Sequence, residues 1–290
     1  MTIITIKKGT KYYEQSEILH DIHFTLEQGE RVTILGKSGS GKTTFLKILA
    51  GLVAFDSGSY EKAEVKISYI SQKPVLFSHM TVLENVVFPL KCQKIARKQR
   101  EAIGREFLEK SQLSKWADMY PYELSGGQQQ RVSVARALIS KPDLLLMDEP
   151  FSSLDVRLGR EMRQWVFSQI EDLHIAAVFV THHYEEAKIF SERILLMEKG
   201  LLTQASETEI DAFFGDGMSW EGVYYPLSDW YLASEGIPVH IESSLVLYGQ
   251  RYWSVILENT GEQKFIIAGD EAVNLGEKTC IAPVRRKQDA

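Results

Sequence analysis

The stretch Arg31-Val-Thr-Ile-Leu35-Gly36-Lys37-Ser38-Gly39-Ser40-Gly41-Lys42-Thr43-Thr44-Phe-Leu-Lys-Ile-Leu-Ala50 decides the fold. Its first five residues read as a short buried strand, its middle matches G-x-x-x-x-G-K-[ST], and its end carries a helical run. Glycines let the backbone wrap a phosphate without Cβ clashes. Successive N–H groups and a helix N-terminus then offer positive potential to the anion. In such a loop Lys42 reaches the outer phosphates of a nucleotide and the Thr43 hydroxyl ligates Mg²⁺. Residues 36–44 are therefore candidate nucleotide-binding residues, with Thr43 a candidate metal ligand.

Apolar runs at residues 65–70, 144–147, 175–180 and 193–197 read as further buried strands separated by helical patterns. That rhythm predicts an α/β domain with a mostly parallel sheet. Residues 86–120 show only helical periodicity and charge, so a helical subdomain is expected at about 86–140. After about residue 206 the texture changes to short strands broken by turns, at 237–241, 245–248, 252–257, 265–268 and 279–282. The expected organisation is an α/β domain carrying the glycine loop over 1–213 and a small all-β, barrel-like domain over 214–290.

The chain of 290 residues has 33 Lys+Arg against 39 Asp+Glu, a net charge of −6, and a 44% apolar fraction, enough for a folded core. A pI near 5.7 argues against a nucleic-acid-coating protein. The one dense basic stretch, Lys91, Lys94, Arg97, Lys98 and Arg100, reads as a solvated helix face. Cys92 and Cys280 have no metal-binding spacing and read as buried or idle thiols. No apolar run approaches the ~18 residues needed to span a bilayer, and the N-terminus lacks the order of a signal peptide, so an intracellular chain is expected.

Two more constellations carry chemistry. Leu144-Leu-Leu-Met-Asp148-Glu149-Pro150 delivers two carboxylates from the end of a buried strand. There Asp148 is suited to hold Mg²⁺ through water and Glu149 to deprotonate an attacking water, which points to hydrolysis. Leu124-Ser125-Gly126-Gly127-Gln128 precedes the helical run 129–139 and forms a second glycine-bearing helix N-terminus suited to an anion.

Together, residues 36–43, 124–128 and 148–149 resemble the nucleotide-binding subunit of an ATP-binding cassette (ABC) transporter, a likeness covering about residues 1–206. The resemblance implies ATP and Mg²⁺ as cofactors. It also implies a head-to-tail dimer with a second ATPase subunit, in which Ser125, Gly126, Gly127 and Gln128 of one copy close over ATP held by the other. Tyr13 matches the aromatic that stacks on adenine, with Tyr12 as competitor. Gln72, in Ser71-Gln72-Lys73, matches the glutamine near Mg²⁺ and the attacking water. Asp155 matches a loop that contacts the opposite subunit, and His182 the histidine that touches the γ-phosphate. In Thr181-His182-His183 a second imidazole stands where the family usually has Asp.

Tyr120-Pro-Tyr-Glu123 resembles importers, and the C-terminal strands resemble the regulatory barrel of importer ATPases for sugars, ferric iron, polyamines and sulfate. The expected function is ATP hydrolysis driving solute import through membrane permease subunits, at the cytoplasmic face of the membrane, with an extracytoplasmic solute-binding protein as an indirect partner and no nucleic acid. An exporter subunit or a soluble non-transport ABC ATPase is the alternative. Against the latter, the separation of Lys42 and Ser125 leaves no room for a repair-type coiled coil, and one P-loop is present where translation factors usually have two. A GTPase is disfavoured because Asn85, Asn259 and Asn274 precede no lysine. The cluster Val75, Leu76 and Phe77 is expected to meet a partner helix.

Overall fold

The computed structural model describes residues 1–152, 154, 156–191, 193–204, 217–220, 223–226, 230–247, 250–261, 263–267 and 278–283. The chain separates into two compact units, Met1–Gln204 and Ala205–Ala290.

The first unit is built on a six-stranded sheet. In chain order its strands are β3 (Arg31–Leu35), β5 (Ile67–Ile70), β6 (Leu144–Asp148), β7 (Ala176–Thr181), β8 (Arg193–Glu198) and β9 (Leu201–Gln204), in the spatial order β5-β6-β7-β3-β8-β9. All neighbours are parallel except β8 and β9. Every residue of β6 and β7 is buried, because both faces of the sheet are covered. Leu144 and Leu146 point to one core with Val178, Val180 and helix α1 (Lys42–Leu49). Leu145 and Met147 point to the other, where they meet Phe179, α4 (Gly126–Ile139), α5 (Val156–Asp172) and Phe190 of α6 (Tyr184–Phe190). Period-2 alternation inside a continuous apolar run thus feeds two cores.

The expected strands form with small shifts: β5 begins at Ile67, not at residue 65, and β7 at Ala176. Three further strands, β1 (Thr2–Tyr13), β2 (Ser16–Glu27) and β4 (Ser57–Lys62), lie outside the sequence expectation and pair as an antiparallel sheet in the order β2-β1-β4. Register shifts between Ile6 and Gly9 and between Gly9 and Lys11 break the alternation that would have revealed β1.

The helical region comprises α2 (Val82–Cys92), α3 (Arg97–Lys110) and α4, sharing a core of Val82, Val86, Leu90, Leu108 and Val132. It begins at Val82, ahead of the expected residue 86, because Thr81 and Glu84 form a reciprocal capping box. The basic stretch is not one helix face: Lys91 lies in the last turn of α2, Lys94 has φ +61°, and Arg97, Lys98 and Arg100 open α3. Cys92 is exposed and Cys280 half-buried, so neither thiol is fully buried.

The second unit contains a hairpin of β10 (Gly217–Trp220) and β11 (Val223–Pro226). Beside it in sequence is a five-stranded antiparallel sheet of β12 (Trp230–Ala233), β13 (Ile237–Leu247), β14 (Gln250–Leu257), β15 (Gln263–Ile267) and β16 (Lys278–Pro283), ordered β12-β16-β13-β14-β15. Val239, Ile241, Val255 and Ile281 pack with Trp230 and Trp253 as its core. The two strands expected at 237–241 and 245–248 are one strand, with a register shift between Ile241 and Ser243 that resembles a turn in the sequence pattern. Gln250 opens β14.

Candidate nucleotide-binding and hydrolytic site

Parallel pairing places the C-terminal ends of β5, β6, β7 and β3 on one edge of the sheet, and each releases a candidate segment there. β3 leads into the glycine loop, β5 into Ser71-Gln72, β6 into Glu149 and β7 into His182.

The loop is tight. A Cβ on Gly36 would lie 2.3 Å from the Met197 carbonyl oxygen. Gly41, with φ +108°, is the N-cap of α1 and adopts a conformation that other residues rarely take. No side chain caps this helix start. Lys42 folds back so that Nζ donates to the carbonyls of Gly36 at 2.7 Å and Lys37 at 2.9 Å. Burial pushes its pKa down, while Glu149 and Asp148 pull it up. Lys37, Ser38, Gly39 and Thr43 are exposed, Gly41 and Thr44 half-buried. Ser40 is buried, and its Oγ has no hydrogen-bond partner among the described residues.

Asp148 is buried at the end of β6. The Thr43 hydroxyl donates to its Oδ1 at 3.2 Å and the Tyr69 hydroxyl to its Oδ2 at 3.1 Å. Burial raises its pKa, and the two hydroxyl bonds oppose that rise. A buried carboxylate facing a threonine hydroxyl, beside a buried unpartnered serine, is a donor set suited to Mg²⁺ and phosphate.

Glu149 turns the chain sharply, with φ +44°, and its N–H donates to the Val180 carbonyl at 3.0 Å. This left-handed backbone costs about 1–3 kcal/mol for a non-glycine residue, a strain that clusters at functional sites. Gln72 Nε2 donates to Glu149 Oε2 at 3.1 Å, and His182 Nδ1 lies 2.9 Å from Oε1. Each carboxylate oxygen is thereby aimed by a different strand's loop. The exposed His183 ring centroid lies 4.0 Å from that of His182. One turn of hydrogen bonding steadies this pair: Thr181 Oγ1 accepts from His183 N–H and donates to Glu186, which Arg163 also binds.

Ser125 and Gln128 do not join this cluster but bond each other. Ser125 N–H donates to Gln128 Oε1 at 2.8 Å, and Gln128 N–H to Ser125 Oγ at 3.3 Å, capping α4. Ser125 and Gly126 are exposed and Gly127 half-buried. Tyr13 and Tyr12 end β1, both exposed; Asp56 accepts from Lys11 Nζ and from Tyr12 N–H, and Lys11 Nζ sits 5.6 Å from the Tyr13 ring centre. Asp155 lies outside the described residues. The apolar cluster after Gln72 is split: Val75 is exposed, whereas Leu76 packs on the helical core and Phe77 on Phe88 with centroids 4.6 Å apart. The sequence reading missed Tyr69 and Gln130; the pairing of Tyr69 with Leu146 across β5 and β6 is what carries its hydroxyl to Asp148.

A carboxylate held by Gln72 and His182 on a strained turn, beside a phosphate-type loop and a cation-type acid, is able to activate water against a bound phosphate. Comparison with known proteins identifies the family. An ABC transporter family model matches residues 19–152. The sulfate/thiosulfate import ATP-binding protein CysA of Pectobacterium atrosepticum is 41% identical over 215 residues, covering 69% of this chain and 65% of the relative. The spermidine/putrescine import ATP-binding protein PotA of Haemophilus influenzae is 43% identical over 212 residues, covering 70% and 57%. This chain therefore spans about two thirds or less of the length of those relatives. CysA of Bradyrhizobium diazoefficiens is 36% identical over 262 residues, covering 86% of this chain and 74% of the relative. Among solved structures, the dimeric post-hydrolysis state of the ATP-binding cassette MJ0796 bound to ADP and Pi has a TM-score of 0.65 at 31% identity, covering 69% of this chain and 96% of that one. The chain belongs to the ABC transporter ATP-binding family.

Proposed function

We propose that this chain binds and hydrolyses ATP to drive solute import through partner permease subunits, as one of two ATPase subunits, most simply a homodimer. The observation that carries the reading is the convergence on Glu149 of Gln72 and His182 beside the Lys42 loop and the Thr43–Asp148 pair. Lys42 and the loop N–H groups hold the phosphates, and Tyr13 offers its exposed ring to adenine. Thr43 and Asp148, with Gln72, would hold Mg²⁺. When bound, Mg²⁺ supplies positive charge against the phosphate oxygens. Glu149 takes the proton of the attacking water, Gln72 and His182 orient the carboxylate, and Ser125, Gly126, Gly127 and Gln128, with Asp155, face the nucleotide of the opposite copy.

Attachment at the cytoplasmic face of a membrane through permease subunits, with an extracytoplasmic solute-binding protein beyond them, fits the importer names of the relatives. Among the described residues no helix is long and apolar enough to cross a membrane. Exposed Val75 remains available to a permease helix. Of the solute classes expected from the sequence, sulfate and polyamine gain support from the relatives' names. Residues 214–290 are proposed to form a regulatory β domain that does not touch ATP.

Glu149→Gln is the test. Turnover should fall by about 10²–10⁴-fold, the range of a lost general base, while ATP stays bound and an ATP-loaded dimer accumulates on gel filtration. Hydrolysis at the wild-type rate would remove Glu149 from the mechanism.

A further inference from the structure

Gln130 lies in the second turn of α4 with no exposed surface. Its Nε2 donates to the Ser71 carbonyl at 3.2 Å, whereas its Oε1 has no hydrogen-bond partner among the described residues. An amide buried with half its capacity unused is costly beside an apolar side chain of the same shape, so packing does not explain it. What the amide does accomplish is to hold the carbonyl immediately before Gln72. Gln72 in turn donates to Glu149 Oε2 at 3.1 Å. The same helix grips this segment again further along, where Arg136 Nη2 donates to the Val75 carbonyl at 2.5 Å. The segment after β5 is thus tied at two points to α4, the helix that begins at Ser125.

We propose that Gln130 is a positioning residue for hydrolysis. By pinning the Ser71 carbonyl to α4, it sets where the Gln72 amide stands against the Glu149 carboxylate. The proposal rests on the ATPase reading above, and Gln130 acts through the Ser71 carbonyl.

The full chain is assayed for ATP turnover, with single-turnover measurements for slow variants. Gln130→Met keeps the volume and removes the donor; Gln130→Asn keeps the amide but withdraws it by one methylene. Both should lower kcat about 3–10-fold, the scale of one neutral hydrogen bond, with KM for ATP and Tm near wild type. Beside Gln72→Ala the effect of Gln130→Met should vanish, because no amide remains to be placed. An unchanged kcat in both variants, or a loss that persists in full beside Gln72→Ala, overturns the inference and leaves the ATPase reading standing. Loss of folded protein in both variants, with kcat per folded molecule unchanged, shows a purely structural residue and also overturns it. A wild-type chain that does not turn over ATP overturns both.

Discussion

Two helix starts in this chain look alike in sequence, each marked by glycines, yet the structure finishes them differently. At α1 the N-cap is Gly41, no side chain caps it, and Lys42 is folded over the loop with its charge beside Asp148 and Glu149. At α4 the N-cap is Ser125, and a capping box with Gln128 satisfies the Ser125 and Gln128 N–H groups from within. A helix whose end is left open suits an anion bound by the same chain. One closed by its own side chains is stable alone, and the Ser125 hydroxyl, while it accepts the Gln128 N–H, still has its own proton to donate to a ligand that, on the proposed reading, a partner brings. On the proposed reading, the difference separates a site that is ready in one subunit from one that waits for the second.

The largest expected effect that would break this contrast is at Lys42. Lys42→Ala should weaken ATP binding about 10–100-fold, the value of a charge-assisted contact, as read by displacement of a fluorescent nucleotide. Near-normal affinity would mean that the open end of α1 is not the anchor. Next comes Ser125. Ser125→Ala should cost about 0.5–2 kcal/mol of stability by removing the cap, whereas Ser125→Gly should cost only a few tenths. If Ser125→Gly melts like wild type yet no longer forms the ATP-driven dimer, the hydroxyl has a second role; an intact dimer would confine it to capping.

The smallest effect sharpens the account of the α1 side. Burial raises the Asp148 pKa in the folded chain above the ordinary unfolded value near 3.9. A raised acid binds its proton more tightly when folded, so its contribution to stability is present below that ordinary value and is lost as pH rises through the folded pKa. Asp148→Asn should therefore raise the Tm at pH 7 by about 1–3 °C in chelator without nucleotide, with the gain shrinking toward acid pH. A lower Tm at pH 7 would show that the Thr43 and Tyr69 hydrogen bonds outweigh the cost of burying the charge.

The core of the site was legible because its chemistry demands local spacing. Gly36, Gly41, Lys42 and Thr43 lie within one loop, and Asp148 and Glu149 are adjacent at the end of a fully apolar run. The parallel strands were readable for the same reason: a strand buried on both faces is a continuous apolar word. Strands with broken alternation were not. β1 bulges near Gly9, and β13 shifts register after Ile241, so neither keeps the period that a local reading needs. Tyr69 and Gln130 escaped because an isolated tyrosine or glutamine has no spacing to mark it; each matters through a partner 79 or 59 residues away.

From the residues alone came the phosphate loop, the pair of acids, the second glycine-bearing helix start and the α/β rhythm, all consequences of contacts between near neighbours. The strand order β5-β6-β7-β3 came only with the folded chain, because hydrogen bonds between distant strands leave no mark on local periodicity. That order places β7 between the strands bearing the acids and the loop, and so brings His182 to one oxygen of Glu149 while β5 brings Gln72 to the other.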